Sequence, residues 1–335
     1  MREIENGELK SASLSQLKEL CGELREEILA TVSRCGGHLS SNLGAVELTV
    51  ALHRVFDFPH DKIVFDVGHQ CYAHKLLSGR AGAFGTLRQE GGLSGFPKRS
   101  ESEYDCYGTG HAGTAVSAAL GFAKARDLKG EKGAVIALVG DGSFNNGLIY
   151  EALNSLKILN THVLIILNDN GMSISETVGS MAAVLKEMRE GAEDAGAVEG
   201  SPDAARRQGG EIAIPEDDVR LFEHFGLTYM GVVNGHDLGE LLASLERAKH
   251  ALEKGSVLLH VHTRKGYGHA FAERAPTETH GVGAGGGAEY SRALGEELTA
   301  LAEKDSRIVA VTAAMTDSLG LRGFFERFPE RAFDV

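Results

Sequence analysis

Two hard oxygen donors stand at the ends of two apolar runs in this 335-residue sequence: Asp141, within Gly140-Asp-Gly142, and Asn170, within Asn168-Asp-Asn-Gly-Met172, 29 positions later. A carboxylate and an amide oxygen suit magnesium, which holds octahedral oxygen ligands and shares its shell with phosphate oxygens and water. The glycines beside Asp141 let backbone N–H groups approach an anion. An Asp in a glycine turn after a strand is most often a helix cap, and it is the pairing with Asn170 that turns the reading toward a metal and diphosphate site. The elements that must position the pair are legible. Residues 134–139 predict a buried parallel strand, 147–159 its crossover helix and 162–167 the next strand. Asp141 and Asn170 then fall at the carboxyl ends of neighbouring strands, where open α/β sheets hold their ligands.

His38, His69 and His111 each follow a glycine in a separate loop, and convergence of the three at one sheet edge would let imidazoles, whose pKa lies near neutrality, reach a ligand. His53, His60, His74 and His162 lack that context and default to structural roles. Ser13 reads as the cap of a helix whose apolar spacing, Leu17, Cys21, Leu24 and Ile28, runs to Gly36-Gly37. A helix over 44–53, a strand over 62–66 and an alanine- and glycine-rich helix over 114–126 follow. Every motif thus lands on a loop at a strand end or a helix start, which predicts one doubly wound, mostly parallel α/β sheet. Residues 181–217 break the pattern with Glu, Ala, Gly and Arg and predict a mobile surface insert. The sheet resumes with a strand over 227–230, a helix over 238–252 and a strand over 257–261, completing a first domain over 1–275. After a linker over 276–288, residues 289–335 hold a helix, a strand, a second helix and the beginning of another strand. So small a unit cannot cover both faces of a sheet, and Ile308, Val309, Val311, Phe333 and Val335 are expected to leave apolar surface.

Composition bounds the partners. The formal charge of −13 without a basic cluster argues against nucleic acid or an anionic membrane surface, and no apolar run approaches a membrane span. The four cysteines lie far apart without metal-ligand spacing, as reduced cytoplasmic thiols would.

Six motifs occur in order: Gly36-Gly-His-Leu-Ser-Ser-Asn-Leu-Gly44, Asp66-Val-Gly-His-Gln70, Gly92-Leu-Ser-Gly-Phe-Pro-Lys98, Gly108-Thr-Gly-His-Ala112, Gly140-Asp-Gly142 and Asn168-Asp-Asn-Gly-Met-Ser-Ile-Ser175. On them the chain resembles the 1-deoxy-D-xylulose-5-phosphate synthases, from about residue 8 to 180 and from about 218 onward. The resemblance implies a diphosphate-binding domain, followed by the start of a pyrimidine-binding domain, in an enzyme dependent on thiamine diphosphate and Mg2+. It implies Asp141, Asn170 and the Met172 carbonyl as metal ligands, and Gly110, His111, Ala112, Gly142, Ser143, Asn170, Lys265 and His69 along the cofactor. His38 and His69 would stand beside the reacting carbon, and His280, at another family position near the active site, is the third catalytic candidate. His269 occupies the place of a cofactor-contacting tyrosine, with Tyr267 nearby but facing elsewhere, and Gly171 replaces a usual acidic residue. The family reaction joins pyruvate and glyceraldehyde 3-phosphate, with loss of carbon dioxide, into 1-deoxy-D-xylulose 5-phosphate, a precursor of isoprenoids, thiamine and pyridoxal.

Family chains run to roughly twice this length. The Glu that contacts the aminopyrimidine ring and the basic groups that hold the acceptor phosphate fall beyond residue 335. The chain therefore reads as the front half of a cytoplasmic, homodimeric enzyme, completed by a complementary C-terminal chain. Two alternatives stay open: a non-catalytic truncated copy that binds metal and cofactor weakly or only dimerises, and another transketolase-type enzyme.

Overall fold

The computed structural model describes residues 3, 4, 6–174, 177–197, 216–283 and 288–335. Five strands, β1 (Lys62–Phe65), β2 (Val135–Gly140), β3 (Leu164–Asp169), β4 (Leu227–Asn234) and β5 (Ser256–His262), form one sheet in the order β1-β2-β3-β5-β4. Every pairing is parallel. Because side chains alternate across a strand, Ile136, Leu138, Leu164 and Ile166 enter one apolar cluster while Ala137, Val139, Ile165 and Leu167 enter another. The helices Leu14–Cys35, Val46–Val55 and Leu238–Ala251 cover the first face. The helices Ala115–Lys129, Gly147–Leu159 and Ser180–Ala197 cover the second. This is the doubly wound sheet expected from the sequence. The first long helix starts at Ser13 with a capping box closed by Gln16 and stops at Gly36.

Two expectations change. Residues 180–197 form a helix rather than a loose insert: Met181, Val184, Leu185 and Met188 lie on one face and pack into the second cluster. Of the rest of the expected insert, 198–215 lies outside the described residues and 216–217 begin the helix Glu216–His224. Residues 276–283, expected as linker, are docked on the first domain. Gly37 and Val282 exchange two backbone hydrogen bonds of 2.7 Å, and Thr279 accepts from the Leu39 and Ser40 N–H groups.

The last unit carries the helices Ala288–Lys304 and Arg322–Arg327 and the parallel pair β6 (Ala310–Thr312) and β7 (Ala332–Asp334). Its small core gathers Ala302, Ala310 and Phe324, with Ile308 partly buried against them. Val309, Val311, Phe333 and Val335 stay 53%, 63%, 48% and 72% exposed. Ile308 therefore does not join the exposed apolar face expected of it, and the other four residues do.

Candidate functional site

Strand register makes the site. Gly140 pairs with Asn168 across β2 and β3, so the two chains leave the sheet side by side and deliver Asp141 next to the turn that bears Asn170. Asp141 is buried, and its carboxylate accepts the Asn170 N–H at 3.3 Å and the Thr177 hydroxyl at 2.7 Å. The Asn170 side-chain oxygen accepts the Met172 N–H at 3.1 Å, folding the turn back on itself. Burial, reinforced by the neighbouring Asp169, pushes the Asp141 carboxyl up to about 7; a cation beside it would reverse that cost. Gly142 and Ser143 follow in a single helical turn, Asp141–Phe144, whose leading N–H groups have no partner within the helix. A Cβ at Gly142 would come within 2.8 Å of the Ser173 side chain, so glycine is what lets the two turns approach.

These groups line one cleft of about 580 Å3, and the same cleft is lined by His38, His69, Gly110, His111, Ala112, Met172, Lys265 and His280. Its volume suits a cofactor-sized ligand. At one end the rings of His38, His69 and His280 form a triangle with every centroid separation 5.3 Å. Burial holds all three below the ordinary imidazole value: His38 to about 4 and His280 to about 3, with His69 also well down. They are neutral at physiological pH. His280 meets the Ser41 hydroxyl at 3.3 Å, while the buried Nδ1 atoms of His38 and His69 have no partner among the described residues. A buried nitrogen left so is costly unless a ligand completes it. Lys265 joins the two ends. It is buried, donates to the Ser173 carbonyl, and has its ammonium pulled down to about 8 by burial.

His38, His69 and His111 do line one cleft, but only the first two belong to the ring triangle. His111 lines the cleft but is exposed on its margin, and His280 closes the triangle because the Gly37–Val282 bridge carries it there. His269 does not line the cleft: its Nδ1 accepts the Ala272 N–H and caps the short helix Ala270–Arg274. Tyr267 does face elsewhere, stacked on His236 at 3.6 Å.

Sequence reasoning overlooked the residues that hold the loops. Asn42 donates to the His38 and His69 carbonyls, both at 2.7 Å, and accepts the Tyr72 N–H at 2.8 Å. Asp66 accepts from Gly113 at 2.9 Å and Ala115 at 3.0 Å, fixing the Gly110–Ala112 loop at the start of its helix. Phe96 lines the cleft and packs edge-on to His38 at 5.8 Å. Ala313, Ala314, Met315 and Val335 bring the last unit over the same cleft. Asn42 and Asp66 lie inside two of the six motifs, so their positions were visible in the sequence, but nothing in the pattern separates them from the polar residues beside them.

Among the described residues no group of three or more His, Cys, Asp or Glu could hold a metal. The candidate metal donors are instead one carboxylate, one amide and one backbone carbonyl, a hard set that fits magnesium rather than zinc. Also among the described residues, no helix is long and apolar enough to cross a membrane.

The family model described as 1-deoxy-D-xylulose-5-phosphate synthase matches residues 2–263. The synthase of Desulforudis audaxviator is 47% identical, over 98% of this chain and 55% of its own length. That of Syntrophotalea carbinolica is 46% identical, over 98% and 56%. The chain thus spans about half the length of these curated relatives. Among solved structures, the transketolase from Campylobacter jejuni superposes with a TM-score of 0.62 at 23% identity, covering 88% of this chain and 43% of that one. The transketolase from Leishmania mexicana gives 0.58 at 20% identity, covering 82% and 40%. At those identities the two structures speak for the fold alone.

Proposed function

The chain belongs to the 1-deoxy-D-xylulose-5-phosphate synthase family, and we propose that its cleft is the metal- and diphosphate-binding half of a thiamine-diphosphate site. The reaction served is the decarboxylative joining of pyruvate to glyceraldehyde 3-phosphate. The observation that carries this reading is the single cleft with Asp141, Asn170 and Met172 at one end and three neutral histidines at the other.

The residues suit the group. Asp141, Asn170 and the Met172 carbonyl would hold Mg2+, with Gly142 and Ser143 N–H groups and Lys265 taking the diphosphate. When bound, thiamine diphosphate supplies the carbanion stabilisation that lets a 2-oxo acid lose carbon dioxide. The protein's own part is to bind, orient and keep the reacting end dry. His38 and His69 offer unpartnered ring nitrogens to a substrate oxygen, and their neutrality lets each donate or accept a hydrogen bond without bringing in a charge. Lys265, with its pKa about 8, is mostly cationic at neutral pH and can hold a phosphate or carboxylate. In the same reading the enzyme is a cytoplasmic homodimer. Complementary polypeptide brings the pyrimidine-side carboxylate and the basic groups for the acceptor phosphate.

Calorimetry tests it. Thiamine diphosphate should bind the purified chain only with Mg2+, and Asp141→Ala should weaken binding at least about a hundredfold. Absence of Mg2+-dependent binding to the unmodified chain would sink the proposal and favour a non-catalytic copy.

A further inference from the structure

Asp169 stands one residue before Asn170 at the end of β3 and is fully buried. It is not among the metal donors named above, yet protein groups hold it from three sides. His260 of the neighbouring β5 meets one of its oxygens at 2.8 Å and is itself met by the Tyr229 hydroxyl of β4 at 2.8 Å. The Gly171 N–H donates to it at 3.1 Å, so the orientation of this carboxylate sets the turn that presents Asn170 and Met172. From the other side Arg189, on the Ser180–Ala197 helix, places one guanidinium nitrogen 2.5 and 2.6 Å from its two oxygens. Gly171 admits that guanidinium. Its φ is +71°, and a Cβ there would lie 3.0 Å from the Arg189 Nη2. The helix is anchored by Leu185 and Met188 in the core, and its lead-in touches the metal carboxylate through Thr177 and Asp141. Between helix and turn a cavity of about 310 Å3, lined by Asp141, Asn170, Lys186 and Arg189, leaves room for the two to shift against each other.

We propose that Arg189 is a positioning residue for the metal-binding turn: passing over Gly171, it clamps Asp169 and so couples metal occupancy to the docking of the Ser180–Ala197 helix. The inference rests on the reading of Asp141 and Asn170 as metal ligands. Linkage requires the coupling to run both ways, so that metal steadies the helix and the docked helix favours metal.

The test is a Mg2+ series of thiamine-diphosphate titrations, with hydrogen exchange at amides 171–172 and 181–189, on the unmodified chain, Arg189→Ala, Arg189→Lys and Gly171→Ala. Arg189→Ala should raise the half-saturating Mg2+ concentration about tenfold and speed exchange in both turn and helix. At saturating Mg2+ its cofactor affinity should return to that of the unmodified chain, a split that general loss of structure would not produce. Arg189→Lys should recover part of both effects, since the charge returns without the planar fork. Gly171→Ala should reproduce the defect, and the double variant should be no worse than the worse single one, as expected of one shared contact. An unchanged Mg2+ midpoint, or additive effects, would overturn the proposal. Were the unmodified chain to take no Mg2+, the metal reading would fail by itself; unchanged exchange at 171–172 in Arg189→Ala would then overturn the clamp independently.

Discussion

Three imidazoles packed at steep angles in a buried cleft stay neutral chiefly because a proton on any one of them would lose solvation, and secondarily because it would face nearby cations, Arg88 and Lys265 for His38 and Lys265 for the other two. The unfolded chain has no such restriction and protonates its histidines near 6.5. Between that value and the depressed values of the folded state, about 4 for His38 and about 3 for His280, the unfolded state binds more protons. Their contribution to stability is therefore intact above pH 6.5 and is lost as the pH falls, by up to about 1.4 kcal/mol per pH unit for each ring. His53 and His74, also depressed by burial, add to the same trend. Urea unfolding at pH 7.5, 6.5, 5.5 and 4.5 measures the slope. His280→Asn should flatten it by about 1.4 kcal/mol per pH unit below pH 6, whereas an unaltered slope would mean that His280 already carries its proton in the folded chain.

At the scale of elements, the site depends on a few polar side chains that lock loops to one another. Asn42 is buried and serves the His38 and His69 carbonyls and the Tyr72 N–H together. Asn42→Leu keeps the γ-branched shape, though with more volume, and strands three groups that the amide now serves, so it should destabilise the fold by roughly 2–4 kcal/mol in urea melts. A loss below about 1 kcal/mol would show that water replaces the amide. Asn42 also marks where reading from sequence stops. The strands and helices around Asp141 and Asn170 were legible because each is a contiguous run with one period, and the parallel order brings the two ends together without further information. The Ser180–Ala197 helix was hidden by its Glu-, Ala- and Gly-rich composition, although Met181, Val184, Leu185 and Met188 already carry the helical spacing. The role of His280 could be inferred only through family resemblance. Its approach to His38 depends on a backbone bridge between Gly37 and Val282, and hydrogen bonds between remote backbones leave no mark in side-chain pattern.

At the scale of the whole molecule, the two sheets are finished differently. The five-stranded sheet has helices on both faces, whereas the β6–β7 pair buries Ala310 and Thr312 and presents the cross-strand neighbours Val311 and Phe333 outward. With Val309 and Val335 they make an apolar strip on a parallel pair whose outer edges pair with no further strand among the described residues, the arrangement that soluble proteins otherwise cover or charge. Val335 also lines the proposed cofactor cleft, together with Ala313, Ala314 and Met315. Association through the strip and closure of the cleft therefore involve neighbouring surfaces. The purified chain should self-associate with rising concentration, as followed by light scattering on size exclusion. Val311→Lys combined with Phe333→Lys should shift it toward monomer while changing folding stability by no more than about 0.5 kcal/mol per site, because both side chains are largely in water already. Neither residue is among those lining the cleft, so Mg2+-dependent thiamine-diphosphate binding should survive the double substitution. Association that persists unchanged in the double variant would place the interface elsewhere. Cofactor binding lost together with association would mean that the cleft is completed only when two chains meet.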